Sequence, residues 1–247
     1  MTSLDRVERQ WTVLGEQDPL WAILSLPEMK GGKWDEAAFF ETGRAEVGRV
    51  LETARRLADV RSGTAVDFGC GVGRLTQALA ARFEHSIGID VAEPMIRGAQ
   101  KMNRFPDRCE YIHNRAPDLA VLANASADFL YSSITLQHVS PSLAAGYIEE
   151  FFRILRPEGI AVFQLPARPR SLTRHRIKSV LPLSITNWLW RVRTGSPEAM
   201  ESYFAAPTRV TKIVNGSNGE VLLAEPDCSG PPGWESRKYF CRKLGLR

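Results

Sequence analysis

Few residues in this sequence are of the kinds that build metal centres or disulfide frameworks. The 247 residues include 4 Cys and 4 His, with no C-x-x-C pair and no H-E-x-x-H motif. We therefore predict neither a structural zinc site nor a set of disulfides. Apolar runs of about 20 residues, the length that spans a membrane, are also missing. The first residues carry acidic side chains and lack the apolar core of a signal peptide, which predicts a cytoplasmic protein.

A strong net charge is missing as well. The formal net charge is +4, hydrophobic residues make up 44% of the chain and charged residues 24%. So mild a charge does not favour a nucleic-acid partner, and this composition excludes a wholly disordered chain. At this length we expect residues 1–247 to form one domain, acting as a monomer or a homodimer.

Acidic residues are missing from one internal segment. None lies between Glu158 and Glu198, whereas Arg168, Arg170 and further basic residues lie there among apolar runs. We interpret residues 166–206 as an inserted basic cap. Three interpretations of the cap stay open: a solvated basic face, a site that binds an anionic substrate through arginine forks, or a surface that docks on an anionic membrane.

Short apolar runs alternate with helical stretches between residues 60 and 165. This alternation predicts βαβ units that build a doubly wound, mostly parallel α/β sheet with its ligand at the carboxyl ends of the strands. In the C-terminal part, 207–247, two further runs predict two strands that form an antiparallel hairpin at the sheet edge. The predicted strands are 64–68, 86–90, 109–113, 127–133, 159–165, 220–225 and 236–243, and the predicted helices are 74–83, 93–102 and 141–155.

A glycine-rich loop with the pattern G-x-G-x-G follows the first predicted strand, at residues 69–73. Glycine allows the backbone to turn sharply and a ligand to come close. A dinucleotide fingerprint would need glycine where the chain has Arg74, which disfavours a nicotinamide dehydrogenase. Asp67, just before the loop, suits an ammonium group better than a pyrophosphate, and Asp90 can accept both hydroxyls of a ribose. The pattern predicts a pocket for a nucleoside that carries an amino acid and no phosphates.

Three segments resemble motifs of one enzyme family. The segment VDFGCGVGRLT (66–76) resembles motif I of the class I S-adenosylmethionine-dependent methyltransferases, IGIDVAEPMI (87–96) is similar to their second-strand motif, and LRPEGIAVF (155–163) to their fifth-strand segment. The resemblance implies a seven-stranded Rossmann-like sheet, a cofactor-binding core over 60–165, and S-adenosylmethionine as the cofactor.

The resemblance also implies which residues bind the cofactor. Asp67 and the glycine loop would contact its methionine end, Asp90 its ribose, and Val91 and Met95 its adenine. The family often has an acid that pairs with the adenine amino group, but this chain has Arg115 there, so the backbone of 114–116 or Asp118 would replace it. The implied set is Asp67, Gly69, Cys70, Gly71, Asp90, Val91, Met95, Asn114, Arg115, Ala116 and Ser132.

The segment after the fourth predicted strand faces the methyl group in this family. His138 and Gln137 are therefore the candidate catalytic residues, with His138 as a general base because histidine titrates near neutral pH. A purely packing role for His138 is the alternative. Ser133 and Gln137 would orient the substrate. Motifs of the nucleic-acid and protein-arginine methyltransferases are missing, so we expect a small metabolite as substrate: a secondary metabolite, an anionic compound or a glycan.

The N-terminal part, 1–58, reads as helical, with an amphipathic helix over 44–60. Its segment 31–44 is similar to lids that precede the core in bacterial small-molecule methyltransferases. The resemblance implies that Trp21, Trp34, Phe39 and Phe40 cover the bound ligands, core packing being the alternative for the two phenylalanines. Two other functions stay open: a module that binds the cofactor without catalysis, and a methyltransferase acting on a membrane-associated or lipid-linked substrate.

Overall fold

The fold is built on a sheet of seven strands with helices on both faces. The computed structural model describes residues 3–170, 202–231 and 233–245. The strand order is β3-β2-β1-β4-β5-β7-β6. The strands are Thr64–Phe68 (β1), His85–Asp90 (β2), Cys109–His113 (β3), Ala127–Ser132 (β4), Leu155–Pro169 (β5), Gly219–Asp227 (β6) and Trp234–Lys243 (β7).

The α-helices of the described residues lie before, between and after these strands. Most of them begin with proline in the first turn or with an aspartate cap, as helices commonly do. They are Ser3–Gln17 (α1), Pro19–Ile23 (α2), Glu36–Leu57 (α3), Arg74–Ala80 (α4), Glu93–Lys101 (α5), Pro141–Ile154 (α6) and Pro207–Gly216 (α7), and short 3-10 turns cover Pro27–Met29 and Leu136–His138.

The first five strands are parallel, and the last two run antiparallel to the strands beside them. The predicted doubly wound sheet with an antiparallel edge is therefore confirmed. The order of the strands reverses between β1 and β4: β2 and β3 lie on one side of this point, and β4 and β5 lie on the other. A sheet of this kind opens a crevice at the carboxyl ends of its strands at such a point, and ligands bind there.

Two apolar layers hold the helices to the sheet. On one face, α3 and α4 pack against β1, β4 and β5 through residues such as Val47, Leu79 and Phe129. On the other face, α6 and α7 pack through residues such as Phe151 and Val210. These layers fix the positions from which α3 and the loops after the strands reach the crevice.

The structure corrects three sequence-based boundaries. The helix predicted over 44–60 begins earlier, at Glu36, because the side chain of Asp35 accepts a hydrogen bond from Ala38 N and caps it. The strand predicted to end at 165 continues to Pro169 because it stays paired with β7 as far as Trp234. The cap therefore does not begin at 166, and most of the segment assigned to it, 171–201, lies outside the described residues.

The C-terminal part contains a helix that the prediction of two strands omitted. Helix α7 precedes β6, and its buried Val210 and Val214, one turn apart, pack on the same layer as α6. The apolar residues of this ten-residue segment are few and interrupted, so their spacing gave only a weak indication of a helix. None of the helices in the described part of the chain is both long and apolar enough to cross a membrane.

Candidate functional site

A pocket with about 880 Å³ of empty space, partly open to solvent, lies at the carboxyl ends of β1, β2 and β4. Eight of the residues selected from the sequence line it, and they come from four separate segments of the chain. They are Gly69, Cys70, Gly71, Asp90, Val91, Asn114, Ser133 and His138. The structure thus brings together the glycine loop and the ends of the second, third and fourth strands.

Glycine is required at two positions of the loop by both conformation and space. Gly69 and Gly71 have φ values of 78° and 52°, in the left-handed region that glycine adopts without strain. A Cβ on Gly69 would lie 2.1 Å from Oγ1 of Thr135, and one on Gly71 would lie 2.5 Å from Cδ1 of Ile23. The loop therefore forms a close-packed wall of backbone along the pocket.

Asp90 lines the pocket and also forms a hydrogen bond with the glycine loop. Its Oδ2 accepts a hydrogen bond from Gly71 N at 2.9 Å, and its Oδ1 accepts one from Ala92 N at 2.9 Å. Burial raises the pKa of Asp90, and these backbone hydrogen bonds oppose the rise. A carboxylate can accept about four hydrogen bonds, so Asp90 can still accept hydrogen bonds from a ligand.

Asp67 lies beneath the loop and does not line the pocket. Its Oδ2 accepts a hydrogen bond from Thr76 Oγ1 at 2.7 Å, whereas its Oδ1 has no partner within the described residues. Burial raises the pKa of Asp67 to about 7, against the opposing effects of Thr76 and Arg74. In this structure the residue supports the loop from below and makes no contact with the pocket space.

The predicted adenine end is only partly assembled. Asn114 and Val91 line the pocket, and Asn114 is held by its Nδ2 donating to the Asp118 carbonyl at 2.7 Å. Met95 does not line the pocket, because it is fully buried against the N-terminal helices. Arg115 turns outward and pairs with Glu8 at 2.8 Å.

Two further predicted cofactor contacts point away from the pocket. The backbone N of Ala116 is occupied by Asn114 Oδ1, and its carbonyl accepts from the hydroxyl of Tyr147. The hydroxyl of Ser132 donates to the Phe68 carbonyl at 3.1 Å and ties β4 to β1. Hydrogen bonds between side chains and the backbone within the fold therefore use the groups that were predicted to contact the cofactor.

Of the two candidate catalytic residues, only His138 lines the pocket. Its ring packs edge-on against Trp11, with the ring centroids 5.3 Å apart. Gln137 is buried beside it, and its Nε2 lies 3.0 Å from Nε2 of His138. Gln137 thus contacts the candidate base and makes no contact with the pocket.

The N-terminal helices cover the pocket, but not through the four aromatic residues named from the sequence. Phe39 and Phe40 are core residues, 0% and 2% exposed. Trp21 and Trp34 donate their indole N–H groups to carbonyls of the α2 region, and Trp34 stacks edge-on with Phe39. These side chains hold the cover together from behind, which corrects their predicted role as the residues that close over the ligand.

The residues that do face the pocket from the cover are Leu4, Val7 and Trp11 of α1 and Ile23 of α2. Sequence reasoning missed them, although the spacing of Leu4, Val7, Trp11 and Leu14 is that of one helix face. Their apolar side chains form the wall of the pocket on this side. The two arginines named for the substrate lie elsewhere: Arg168 forms an exposed ion pair with Glu235, and Arg170 N bonds the Gly233 carbonyl.

A buried ionic network beside the pocket was also missed. Oε2 of Glu46, on α3, lies 2.8 Å from the guanidinium of Arg74, and Oε1 accepts hydrogen bonds from the hydroxyls of Tyr131 at 2.7 Å and Ser133 at 2.8 Å. Burial raises the pKa of Glu46, but the charge of Arg74 and the three donors more than offset it, so the pKa is lowered. Arg74 and Ser133 also line the pocket.

Comparisons with known proteins agree with this geometry. Residues 66–163 match the family model described as a methyltransferase domain. Trans-aconitate 2-methyltransferase of Acidovorax ebreus is 34% identical over 54% of this chain and 50% of its own length. Demethylmenaquinone methyltransferase of Clavibacter sepedonicus is 29% identical over 53% of each chain. The chain thus spans about half the length of these curated relatives.

Solved structures share the fold. The magnesium protoporphyrin IX methyltransferase from Synechocystis PCC 6803 with bound SAH superimposes with a TM-score of 0.66 at 16% identity, covering 98% of this chain and 100% of that one. A methyltransferase from Methanosarcina mazei gives a TM-score of 0.59 at 19% identity, covering 80% and 98%.

The strand order and the matched segment together define the class of fold. Residues 66–163 match a methyltransferase domain, and the sheet that contains them has the Rossmann-like fold of the class I S-adenosylmethionine-dependent methyltransferases.

Proposed function

We propose that the protein transfers the methyl group of S-adenosylmethionine to an O, N or C atom of a small molecule bound beneath the N-terminal helices. The observation that carries the proposal is the position of Asp90. Its carboxylate lines the same pocket as the glycine loop and keeps free lone pairs that can accept the hydroxyls of a ribose.

The residues of the pocket fit the cofactor of the class. The close approach allowed by Gly69 and Gly71 suits the methionine end, and Asp90 suits the ribose. Val91 and Asn114 would flank the adenine, because they lie beyond Asp90 at the ends of β2 and β3. No phosphate-binding cluster of basic side chains lines this pocket in the described residues, where Arg74 is already paired with Glu46.

When bound, the cofactor supplies a methyl group on a positively charged sulfur, and an in-line attack moves that methyl to the substrate. The protein aligns the two molecules and keeps water out. Leu4, Val7 and Trp11 provide the dry wall. We propose His138 as the residue that takes a proton from the attacking group, because its imidazole lines the pocket.

The names of the relatives guide the choice of substrates to test. The relatives are named as methyltransferases of trans-aconitate, demethylmenaquinone and malonyl-[acyl-carrier protein]. We propose a small metabolite, with anionic, glycan and lipid-linked compounds included in the first screen. Measured turnover separates this proposal from the alternative of a module that binds the cofactor without catalysis.

The first test is calorimetric titration with S-adenosylhomocysteine, with NADH as the control ligand. We expect a micromolar Kd for the former and no binding of the latter. Asp90→Asn should raise the Kd about 10- to 100-fold, since it weakens hydrogen bonds that a charged oxygen accepts. Glu93→Gln, which alters a neighbouring exposed carboxylate, is the matched control and should change the Kd less than about twofold. Absence of S-adenosylhomocysteine binding would overturn the proposal.

A further inference from the structure

The carboxylate of Glu46 determines where two hydroxyl hydrogens point. Oε1 of Glu46 accepts hydrogen bonds from Ser133 Oγ at 2.8 Å and from Tyr131 Oη at 2.7 Å. Its Oε2 forms an ion pair with Arg74. An ionised carboxylate has no hydrogen to donate, so both hydroxyls must donate to it. The guanidinium beside Glu46 keeps the pKa of this carboxyl low, which maintains the ionised form.

Ser133 therefore presents only lone pairs to the pocket that it lines. A hydroxyl carries one hydrogen, and that of Ser133 is committed to Glu46. A ligand group next to Ser133 can form a hydrogen bond only by donating one. A carboxylate placed there would find no donor on Ser133 and would lie one hydroxyl away from the negative charge of Glu46.

The positive charge of Arg74 does not reverse this preference. Its side chain is 3% exposed, and its guanidinium is paired with Glu46 and bonded to Thr42 Oγ1 at 3.3 Å. Its Nε has no partner within the described residues, but that atom is itself buried. Gly43 packs closely on Arg74: a Cβ there would lie 2.4 Å from the Arg74 carbonyl oxygen and 2.9 Å from its Cγ.

We propose that Glu46 is a positioning residue that fixes the Ser133 hydroxyl as a hydrogen-bond acceptor, and that the ligand group bound at Ser133 is an amine, ammonium or hydroxyl rather than a carboxylate. This inference rests on the proposed function and deepens it. The group belongs either to the amino-acid end of the cofactor or to the substrate, and the two sources give different results in the experiment below.

The first arm of the experiment uses S-adenosylhomocysteine and its analogue without the amino group. If the cofactor ammonium binds Ser133, Ser133→Ala weakens binding of S-adenosylhomocysteine by about five- to tenfold and leaves the analogue unchanged. If the substrate provides the donor, Ser133→Ala changes the affinity of both compounds less than about twofold.

The second arm uses protein saturated with S-adenosylhomocysteine and three probes of one skeleton: 2-phenylethylamine, 2-phenylethanol and 3-phenylpropionate. If the substrate provides the donor, the amine and the alcohol bind at least about fivefold more tightly than the carboxylate. Ser133→Ala removes that preference. Glu46→Gln also reduces it, because a glutamine amide can donate to Ser133 and release the hydroxyl hydrogen toward the ligand.

Tyr131→Phe is the matched control in both arms. It removes the other hydroxyl that Glu46 binds, so it perturbs the network, but it leaves the hydrogen of Ser133 committed and should leave the ligand preference unchanged. Preference for the carboxylate, or no dependence on Ser133 in either arm, overturns the inference. Failure of the wild-type protein to bind S-adenosylhomocysteine at all would instead overturn the proposed function.

Discussion

Two buried carboxyl groups lie near the same arginine, and their surroundings shift their pKa values in opposite directions. Asp67 accepts one hydrogen bond, from the hydroxyl of Thr76, and its other oxygen has no partner in the described residues. Glu46 accepts hydrogen bonds from two hydroxyl groups and forms an ion pair with a guanidinium. Burial raises the pKa of Asp67 to about 7, whereas the donors around Glu46 outweigh burial and lower its pKa.

The difference shows that burial alone does not decide the charge of a carboxyl group in this site. Removal from water disfavours both ions, and the number and charge of the donors decide the outcome. Arg74 lowers the pKa of both groups, but it forms a direct ion pair only with Glu46. Glu46 is thus a fixed anion, while Asp67 can change its charge near neutral pH.

The largest effect is expected from removing the carboxylate of the better-paired residue. Glu46→Ala leaves the buried guanidinium of Arg74 without its counter-ion and should lower the free energy of unfolding by about 3–5 kcal/mol. The control is Glu52→Ala on the same helix, which breaks an exposed pair with Arg56 and should cost less than about 1 kcal/mol. Urea unfolding with an unchanged m-value measures both.

Equal losses in the two variants of α3 would contradict this comparison. They would mean that Arg74 finds water or another partner when Glu46 is removed, so that the network does not depend on the carboxylate. In that case the lowered pKa of Glu46 would have no consequence for stability.

A pH-dependent effect is expected from Asp67, of about 3 kcal/mol over the measured range from pH 5 to pH 8. Because its pKa is raised to about 7 in the folded state, against 3.8 as the ordinary value, the folded protein retains a proton that the unfolded chain loses. Stability contributed by this group is therefore lost as pH rises from about 4 to about 7, by about 4 kcal/mol in total. Asp67→Asn should remove that loss and be more stable than wild type at pH 8.

The measurement is the free energy of unfolding of wild type and variant at pH 5 and pH 8, compared as a difference so that Asp90 contributes equally to both. Asp59→Asn, at an exposed position of the same chain, is the control and should not alter the slope. If Asp67→Asn follows the wild-type slope, Asp67 is ionised throughout this range and the contrast with Glu46 disappears.

The contrast also separates what could and could not be predicted from the sequence. The glycine loop, Asp90 and the order of strands and helices over residues 60–165 were predictable, because each is encoded by neighbouring residues with a recognisable spacing. Glu46 lies on the buried stripe of α3, close to Gly43, Val47 and Val50. A charge on that stripe was a signal of a buried partner, but Arg74 is 28 residues away and only the packing of α3 on α4 identifies it.

The cover over the pocket was misjudged for a related reason. The resemblance of segment 31–44 to methyltransferase lids suggested Trp34, Phe39 and Phe40 as lid residues, but large aromatic side chains bury the most apolar surface and are favoured in cores. The residues that face the ligand space come from α1, where the spacing of Leu4, Val7 and Trp11 indicated an apolar face. That face did not reveal what it would cover, because its partner is the crevice of a distant sheet.

The smallest effect is expected at a second ion pair with the same geometry as the first. Arg115 and Glu8 are 2.8 Å apart, as are Arg74 and Glu46, but the side chain of Arg115 is 64% exposed and that of Arg74 only 3%. Solvent screens the exposed pair, so Arg115→Ala should cost less than about 1 kcal/mol. Because Arg115 turns away from the pocket, the Kd for S-adenosylhomocysteine should change less than about twofold. A tenfold loss of affinity would show that Arg115 moves inward to the adenine on binding, and distance and exposure in the free protein would then be poor guides to which charges this site uses.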